Sequence, residues 1–483
     1  MKKINILLPI ESIDREIDYK LFLAVSLAGP NVNVIVAQHD YFNTGTSAFK
    51  GGIYIGKNVF KSLFPKNSFG SEVDLHFLKE LKNNDITIFH LDEEGAIFSG
   101  DEKSWEVELG SRLNPKVLME DDYIFAWGSF QKKIYQKKNP LLPSSHVIDT
   151  GTPRFELCKP KFHKYFQEKI DEIKAKYGSF ILINTNFDRA NGLIGIKEEF
   201  SGYNPSWVFC SKDDPQIRLK FINWWSYQRK MQANMVALLH KLSIAFPDKN
   251  FVLRPHPGED PNFYEVVFET AKNVFVNKTG TVQPWLMAAD LLVHDCCTTA
   301  VESFLAETPI INYRPIEDED FDVKFPNQCG TKCESEDEVI EAINNMRHDR
   351  EGFIKKNSLT PSSKSLLKNI ENDVYDDFIE LVKKMTREKL AGNSCDGNIS
   401  IRSMRYREIG NSLEQFSRRI LRAFFYLKRL RYAAAKVHFS GFQRGLVVKN
   451  LKVIEGMLNK KVELDYLSDR LLIISSEEKE DIL

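Results

Sequence analysis

A strand that runs through a small polar turn directly into a helix constrains this chain more than any other segment. The turn lies within Ala288–Glu302, and an earlier apolar run ends in Arg254–Pro257, which reads Arg-Pro-His-Pro. Both apolar runs are typical of buried parallel strands. The helix predicted after the later turn, Ala300–Glu307, offers backbone N–H groups and positive dipole charge to a phosphate. The two turns therefore predict a nucleotide-phosphate site at the carboxyl edge of a parallel sheet.

The composition is that of a globular protein with two or three domains. The chain has 483 residues, of which 42% are hydrophobic and 28% charged, and its net charge is −1. A balanced charge gives no overall preference for nucleic acid. The balance conceals one basic stretch, because residues 401–450 contain twelve Lys and Arg against two Glu. We therefore expect no nucleic-acid partner and consider the basic stretch separately.

The cysteines and the apolar runs favour a cytoplasmic protein without a metal. Seven irregularly spaced cysteines do not suggest a disulfide framework. Cys329 and Cys333 form a spaced pair, but the second pair that a structural zinc site needs is missing, so we predict no metal. The apolar run at the start ends at Glu11, which fits a first strand better than a signal peptide. No apolar run approaches the roughly 20 residues that span a bilayer.

Alternating strand and helix signals divide the chain into two similar halves. Residues 1–158 show this alternation, and residues 178–360 repeat it after a charged connector. The alternation predicts an α/β fold with two doubly wound, Rossmann-like domains that face each other across a cleft. We expect residues 361–392 to form a helix that packs back across the domains, and residues 400–474 to form a basic helical extension. Within the first half, Gly51 and Gly52 predict a loop.

Polar side chains cluster where the strands of the second half end. His256 stands between two prolines, where an imidazole can stabilise a departing nucleotide or simply hydrogen-bond its own turn. Thr298 and Thr299 open a helix, where a hydroxyl can cap the helix or help to hold an oxyanion. Further candidates for donor or nucleotide binding are Arg254, Asn184, Thr185, Asn186, His294 and Cys297.

Acidic residues end a strand in the first half. Asp92, Glu93 and Glu94 follow an apolar run directly. A carboxylate at this edge can remove a proton from an acceptor hydroxyl, although three adjacent acids also fit a solvated turn. We favour Glu94 as the base. Glu11 and Arg15, just past the first strand, are candidates for contact with the acceptor.

An ordered set of segments resembles the GT-B glycosyltransferases, and among them the bacterial surface carbohydrate biosynthesis proteins. Those proteins are similar to the Kdo transferases of capsule and lipopolysaccharide assembly and, more distantly, to CDP-glycerol glycerophosphotransferases. The resemblance covers residues 1–385 and leaves out the basic stretch. The segments that carry it are Leu8–Glu11 with Arg15 and Glu16, Asp92–Gly95, Thr150–Phe155, Ile181–Phe187, Arg254–Pro257, Ala289–Phe304 and Thr308–Tyr313.

The resemblance implies an inverting, metal-independent sugar transferase that needs no cofactor. It places a nucleotide-sugar donor, with a CMP-Kdo-like sugar as one candidate, in the second domain. A glycan or lipid-linked glycan acceptor would bind the first domain. It implies that His256 contacts the donor phosphate and that Glu302 accepts hydrogen bonds from the nucleotide ribose. A carboxylate in the first turn of a helix is also favourable for the dipole alone, so that reading of Glu302 stays open.

Three other functions remain open at this point. A CDP-glycerol-type glycerophosphotransferase would use the same phosphate site, and a sugar-nucleotide 2-epimerase would share the two-domain fold. A non-catalytic scaffold would bind other assembly enzymes through the basic stretch. Residues 400–460 also fit an interfacial helix on anionic lipid at the inner face of the cytoplasmic membrane.

Overall fold

The computed structural model describes residues 3–39, 41–42, 49–57, 72–113, 118–193, 195–196, 200, 215–355, 359–392, 397, 399, 404, 408 and 439–477. Residues 409–438, the greater part of the basic stretch, lie outside this set. The helix predicted there, and its predicted lipid or partner surface, therefore stay predictions.

The first domain is built on an eight-stranded sheet. Its strands are β1 Ile4–Ile10, β2 Val32–Gln38, β3 Gly52–Gly56, β4 Ile86–Leu91, β5 Tyr123–Ala126, β6 Val147–Asp149, β13 Glu463–Ser468 and β14 Leu471–Ser475. They lie in the order β13-β14-β2-β1-β3-β4-β5-β6, with β1 to β6 parallel. Strand β1 is buried along its whole length, as its apolar sequence predicts. The helices of this domain are Ile13–Leu27, Glu72–Asn83, Glu102–Arg112, Ser129–Lys138 and Pro153–Glu156.

The loop predicted at Gly51 and Gly52 is only half correct, because Gly52 begins the central strand β3. The strand escaped prediction because it is short and has glycine at both ends. Packing explains one of them: a Cβ on Gly52 would lie 2.2 Å from the backbone oxygen of Asn5 in β1. Close pairing of β3 with β1 therefore requires a residue without a Cβ at position 52.

The helix His163–Tyr177 leads from the first domain to a second sheet of six parallel strands. These are β7 Phe180–Asn184, β8 Asn250–Arg254, β9 Val274–Val276, β10 Leu291–His294, β11 Ile310–Tyr313 and β12 Thr331–Cys333, in the order β12-β11-β10-β7-β8-β9. The order reverses between β7 and β10, which makes the carboxyl ends of these two strands the topological switch point. The helices of this domain are Pro215–Ala245, Pro261–Val267, Gln283–Ala288, Thr299–Leu305, Lys324–Asn327, Glu336–His348 and Arg350–Lys355.

The segment 361–392 returns to the first domain as two helices, Pro361–Leu366 and Tyr375–Ala391, and not as one. The break between them is held by Asn369, a buried residue whose side chain bonds the backbone N–H and C=O of Thr152 at 2.9 and 3.0 Å. The second helix lies on the first domain, where the Phe378 ring is 5.4 Å from that of Phe125.

The predicted helical extension is wrong for its last part. A helix does form at Arg444–Leu458, but the chain then makes the antiparallel hairpin β13–β14, which joins the sheet of the first domain along β2. The reason is visible in β14, whose run Leu471–Ile474 is apolar on both faces and at most 3% exposed. Such a run fits a strand buried on both faces better than a surface helix. Among the described residues, no helix combines the length and the apolar character needed to cross a membrane.

Candidate functional site

The switch point of the second sheet brings Asn184, at the end of β7, against Thr299, which begins the helix after β10. The Asn184 amide nitrogen donates to the Thr299 hydroxyl at 2.9 Å. Asn184 is 3% exposed, and its Oδ1 has no hydrogen-bond partner in the described part of the chain. A buried acceptor without a partner is costly, so this oxygen is suited to a hydroxyl or amino group of a ligand.

The turn after β10 presents one threonine hydroxyl without a partner. Thr298 is the N-terminal flanking residue of the helix, yet its side chain makes no capping bond, and no described residue bonds its hydroxyl. Both Thr298 and Thr299 are half-buried. The preceding Cys296 adopts a left-handed φ of 49° and is held there by Asn327, which bonds its N–H at 3.0 Å and its Sγ at 3.1 Å. The surrounding structure thus fixes a strained turn next to the predicted phosphate contacts.

The half-buried His256 follows β8 on the neighbouring strand. Its Nδ1 accepts the N–H of Gly258 at 3.1 Å. In the neutral imidazole the proton must then lie on Nε2, which forms no hydrogen bond with the described residues. His256 therefore offers an N–H donor on the side of the ring that its own turn does not use.

Arg254, at the end of β8, is placed differently from the predicted phosphate ligand. Its guanidinium donates to the carbonyls of Thr279 and Gly280, each at 2.9 Å, and stacks 4.7 Å from the Trp285 ring centre. Burial lowers its pKa to about 10. The contacts favour a residue that anchors the loop 277–280, and its phosphate contact stays a prediction.

Three other predicted donor-site residues are engaged within the protein, and a fourth is buried away from the cleft surface. The Thr185 hydroxyl donates to Glu259 at 2.7 Å, and the Asn186 amide donates to the Cys296 carbonyl at 3.2 Å. The Cys297 thiol is buried and accepts from the Thr299 hydroxyl at 3.1 Å, and burial raises its pKa to about 11. His294 is completely buried, and burial lowers its pKa to about 3, so it is a neutral interior side chain rather than a group at the cleft surface.

Glu302 lies at the seam between the two domains. Gln283 donates to its Oε1 at 3.1 Å, and the guanidinium of Arg154, from the first domain, lies 3.6 Å from the same oxygen. Burial raises the pKa of Glu302, while Arg154 and Arg15 oppose that shift. Arg154 of the first domain therefore contacts this helix of the second, and the charge of Arg15 also reaches Glu302.

Of the three acids that follow β4, Glu94 is the accessible one. Its side chain is 37% exposed and lies between Arg15, at 3.1 Å, and Arg112, at 3.0 Å. The Glu93 side chain is buried against the Tyr19 hydroxyl, with the Lys20 ammonium 3.5 Å away. This placement favours Glu94 over Glu93 as the group that can reach an acceptor.

Asp92 and Glu11 fit the role of proton acceptor less well. Asp92 is buried, with its Oδ1 3.4 Å from Arg112, and burial raises its pKa. Glu11 pairs with Lys57, whose ammonium lowers the pKa of the Glu11 carboxyl to about 2. A carboxylate so strongly held in its charged form is a poor base at neutral pH unless an acceptor displaces its cation, and Glu94 requires the same exchange at Arg15 and Arg112. Arg15 joins this group to Glu94 and to Glu16.

Sequence reasoning missed Glu259 and the pairing of Arg154 with Glu302. Glu259 is fully buried and receives hydrogen bonds from the ends of both β7 and β8. A signal was present, because Glu259 completes the four-residue run His-Pro-Gly-Glu directly after a predicted strand. In the described part of the chain, no group of three or more His, Cys, Asp or Glu residues is arranged to hold a metal ion.

The fold is the predicted GT-B arrangement of two Rossmann-like domains with facing carboxyl edges. No protein-family model and no curated protein matches the chain. Similar solved structures include the UDP-GlcNAc 2-epimerase of Neisseria meningitidis bound to UDP-GlcNAc, with 13% identity, 81% of this chain and 100% of that chain covered, and a TM-score of 0.45. The S. aureus MnaA–UDP co-structure has 13% identity and a TM-score of 0.44, with 82% of this chain and 100% of that chain covered. The structure of the wall teichoic acid polymerase TagF has 11% identity and a TM-score of 0.43, with 80% of this chain and 90% of that chain covered.

Proposed function

We propose that this chain is a transferase of bacterial surface polysaccharide assembly that moves a sugar from a nucleotide-activated donor to a glycan acceptor. The observation that carries the proposal is the hydrogen bond between Asn184 and Thr299 at the switch point. It brings an unpartnered buried acceptor to the start of the helix that Thr298 precedes. Ligands of open α/β sheets bind at this position, at the carboxyl ends of the strands beside the switch point.

The donor would lie against the second domain with its phosphate near His256 and Thr298. The Nε2–H of His256 and the Thr298 hydroxyl would donate to the oxygens of the departing nucleotide, where negative charge develops. A proton on Nε2 is what this task requires, and the bond from Gly258 to Nδ1 leaves it there. Asn184 Oδ1 would accept from a hydroxyl of the donor.

The acceptor would lie against the first domain, with Glu94 as the base. Two arginines fix the Glu94 carboxylate at the end of β4. Arg15 also acts on Glu302 across the seam, which links the acceptor side to the donor side. A ribose contact by Glu302 would require its carboxylate to share or exchange its bond to Arg154.

A nucleotide-binding panel tests this proposal. CMP, CDP, UDP and GDP are titrated by calorimetry, each with EDTA and with magnesium, into wild type, His256→Ala and Thr298→Val. His240→Ala is the matched control, because His240 is exposed on the long helix Pro215–Ala245. We expect binding of one nucleotide, unchanged by EDTA, that both site variants weaken and the control retains. A CMP preference would support an acid sugar such as Kdo, and a CDP preference would support glycerophosphate transfer. A folded protein that binds none of the four would refute the donor site and favour the scaffold.

A further inference from the structure

The Glu259 carboxylate is the most heavily used acceptor at the ends of β7 and β8. It is completely buried, and four donors surround it. Its Oε1 accepts from the Thr185 hydroxyl at 2.7 Å, the Phe187 N–H at 3.0 Å and the His256 N–H at 3.1 Å. Its Oε2 accepts from the Tyr264 hydroxyl at 2.6 Å.

Three of these four donors come from two separate strand ends, and the fourth comes from a helix. Thr185 and Phe187 follow β7, His256 follows β8, and Tyr264 belongs to the next helix. Burying a carboxylate is unfavourable unless several donors satisfy it. The same group therefore holds the turn after β7 and the turn after β8 at a fixed separation.

Two bonds connect Glu259 to the backbone of His256, and a third bond within the same turn reaches the imidazole. The Glu259 N–H donates to the His256 carbonyl at 2.8 Å, while the Glu259 side chain accepts the His256 N–H, so the turn is closed from both sides. Pro257 at the second position suits such a turn. Inside it, the Gly258 N–H reaches His256 Nδ1, and a Cβ on Gly258 would lie 3.3 Å from that nitrogen and 3.1 Å from Asp188 Cβ.

We infer that Glu259 is a positioning residue, which fixes the turn that holds the His256 ring with Nδ1 as acceptor and Nε2 as donor. It acts through His256 and does not touch the donor. The inference rests on the proposed function only for its consequence, which is that the Nε2–H donates a hydrogen bond to the phosphate of the nucleotide. The tautomer itself is a property of the protein without ligand.

The test is the protonation pattern of His256 in the full chain with ¹⁵N-labelled histidine. Spectra are recorded at about pH 8.5, where an ordinary imidazole is neutral. His256→Gln assigns the resonance among the ten histidines. In wild type we expect an unprotonated Nδ1 and a protonated Nε2. Glu259→Gln keeps the shape but replaces one acceptor oxygen by an NH₂ group, and we expect a mixture of both tautomers. Glu265→Gln, an exposed acid on the following helix, should match wild type.

Nucleotide titration separates this inference from the proposed function. With the nucleotide that wild type binds, we expect Glu259→Gln to weaken affinity about 10- to 100-fold and Glu265→Gln to leave it unchanged. An unaltered His256 spectrum in folded Glu259→Gln protein would overturn the inference, even if nucleotide binds. A changed spectrum in a protein that binds no nucleotide would keep the inference and remove the proposed function. Should Glu259→Gln not fold, Tyr264→Phe removes one donor to the carboxylate, and the same comparison of tautomers decides.

Discussion

Arg154 of the first domain and Glu302 of the second form an ion pair, with 3.6 Å between a guanidinium nitrogen and Oε1 and both residues 3% exposed. Each partner is also held within its own domain. Arg154 donates to the Glu93 carbonyl at 3.1 Å, and Glu302 accepts from Gln283. The pair therefore joins two fixed ends, and any rearrangement of one domain against the other must break or stretch it.

Removing one member of this pair should destabilise the protein strongly. Arg154→Met leaves the Glu302 carboxylate buried beside the seam with one fewer cation, and we expect a loss of about 3–5 kcal/mol. Urea denaturation of Arg154→Met, Glu302→Gln and the double variant measures this loss. The double variant should be less unstable than the sum of the two single effects. Additive losses would show that the two side chains do not interact in solution.

Asp295 should make the protein less stable as the pH rises. Burial raises its pKa from 3.8 to about 7, and Arg314 opposes this shift. Between these pH values the folded state holds a proton that the unfolded state has lost. Stability therefore falls as pH increases through this window, by up to about 4 kcal/mol. The free energy of unfolding of wild type and Asp295→Asn, compared from about pH 4 to 8, isolates the effect.

The control for Asp295 is Asp248→Asn, because the Asp248 side chain is 66% exposed. It should follow wild type at every pH. A difference between wild type and Asp295→Asn that stays constant with pH would contradict the buried, protonated carboxyl.

Glu94→Gln should abolish turnover without affecting the donor. Loss of a general base lowers the rate about 10²- to 10⁴-fold. Since Glu94 lies on the first domain, the nucleotide affinity should stay at the wild-type value. Glu108→Gln is the matched comparison, because Glu108 also bonds Arg112, at 3.0 Å, but belongs to the helix Glu102–Arg112. Equal turnover of the two variants would remove Glu94 from the reaction.

The hairpin β13–β14 should contribute to the stability of the first domain. Ile474 is fully buried and pairs with Val34 of β2, so Ile474→Ala should cost about 2–5 kcal/mol. Urea denaturation measures the change. Leu446→Ala, at a position 50% exposed on the helix Arg444–Leu458, should cost under about 1 kcal/mol. If the two variants were equally stable, β14 would not form part of the sheet.

The parallel sheets were predictable because their strands are continuous apolar runs. The strand β10 and the turn with Thr298 and Thr299 are the best example, since the periodicity changes there within a few residues. Strand β3 was missed because a five-residue strand with two terminal glycines resembles a loop. Strand β14 was missed because it pairs with β2, which lies more than 400 residues earlier in the chain, and no local pattern shows such a pairing.

The sequence predicted which residues lie at the strand ends of the site, but not which hydrogen-bond partners their side chains have. Residue type placed Asn184, His256 and Thr298 at one edge of a sheet. Residue type did not show that the Thr185 hydroxyl would donate to Glu259, which is 74 positions away. Nor did it show that Arg254 would bond a loop of its own domain. These contacts depend on the distance between backbones in the folded chain, which periodicity does not encode.

The position of β14 has a consequence for synthesis on the ribosome. The strands of the second sheet all lie between residues 180 and 333. The second domain therefore has all the strands of its sheet before synthesis of the chain is finished. The first domain, although translated earlier, waits for residues 463–475 with the edge of β2 uncovered. We expect the domain translated second to reach its native state first, while the exposed edge of the nascent chain is the part that needs a chaperone.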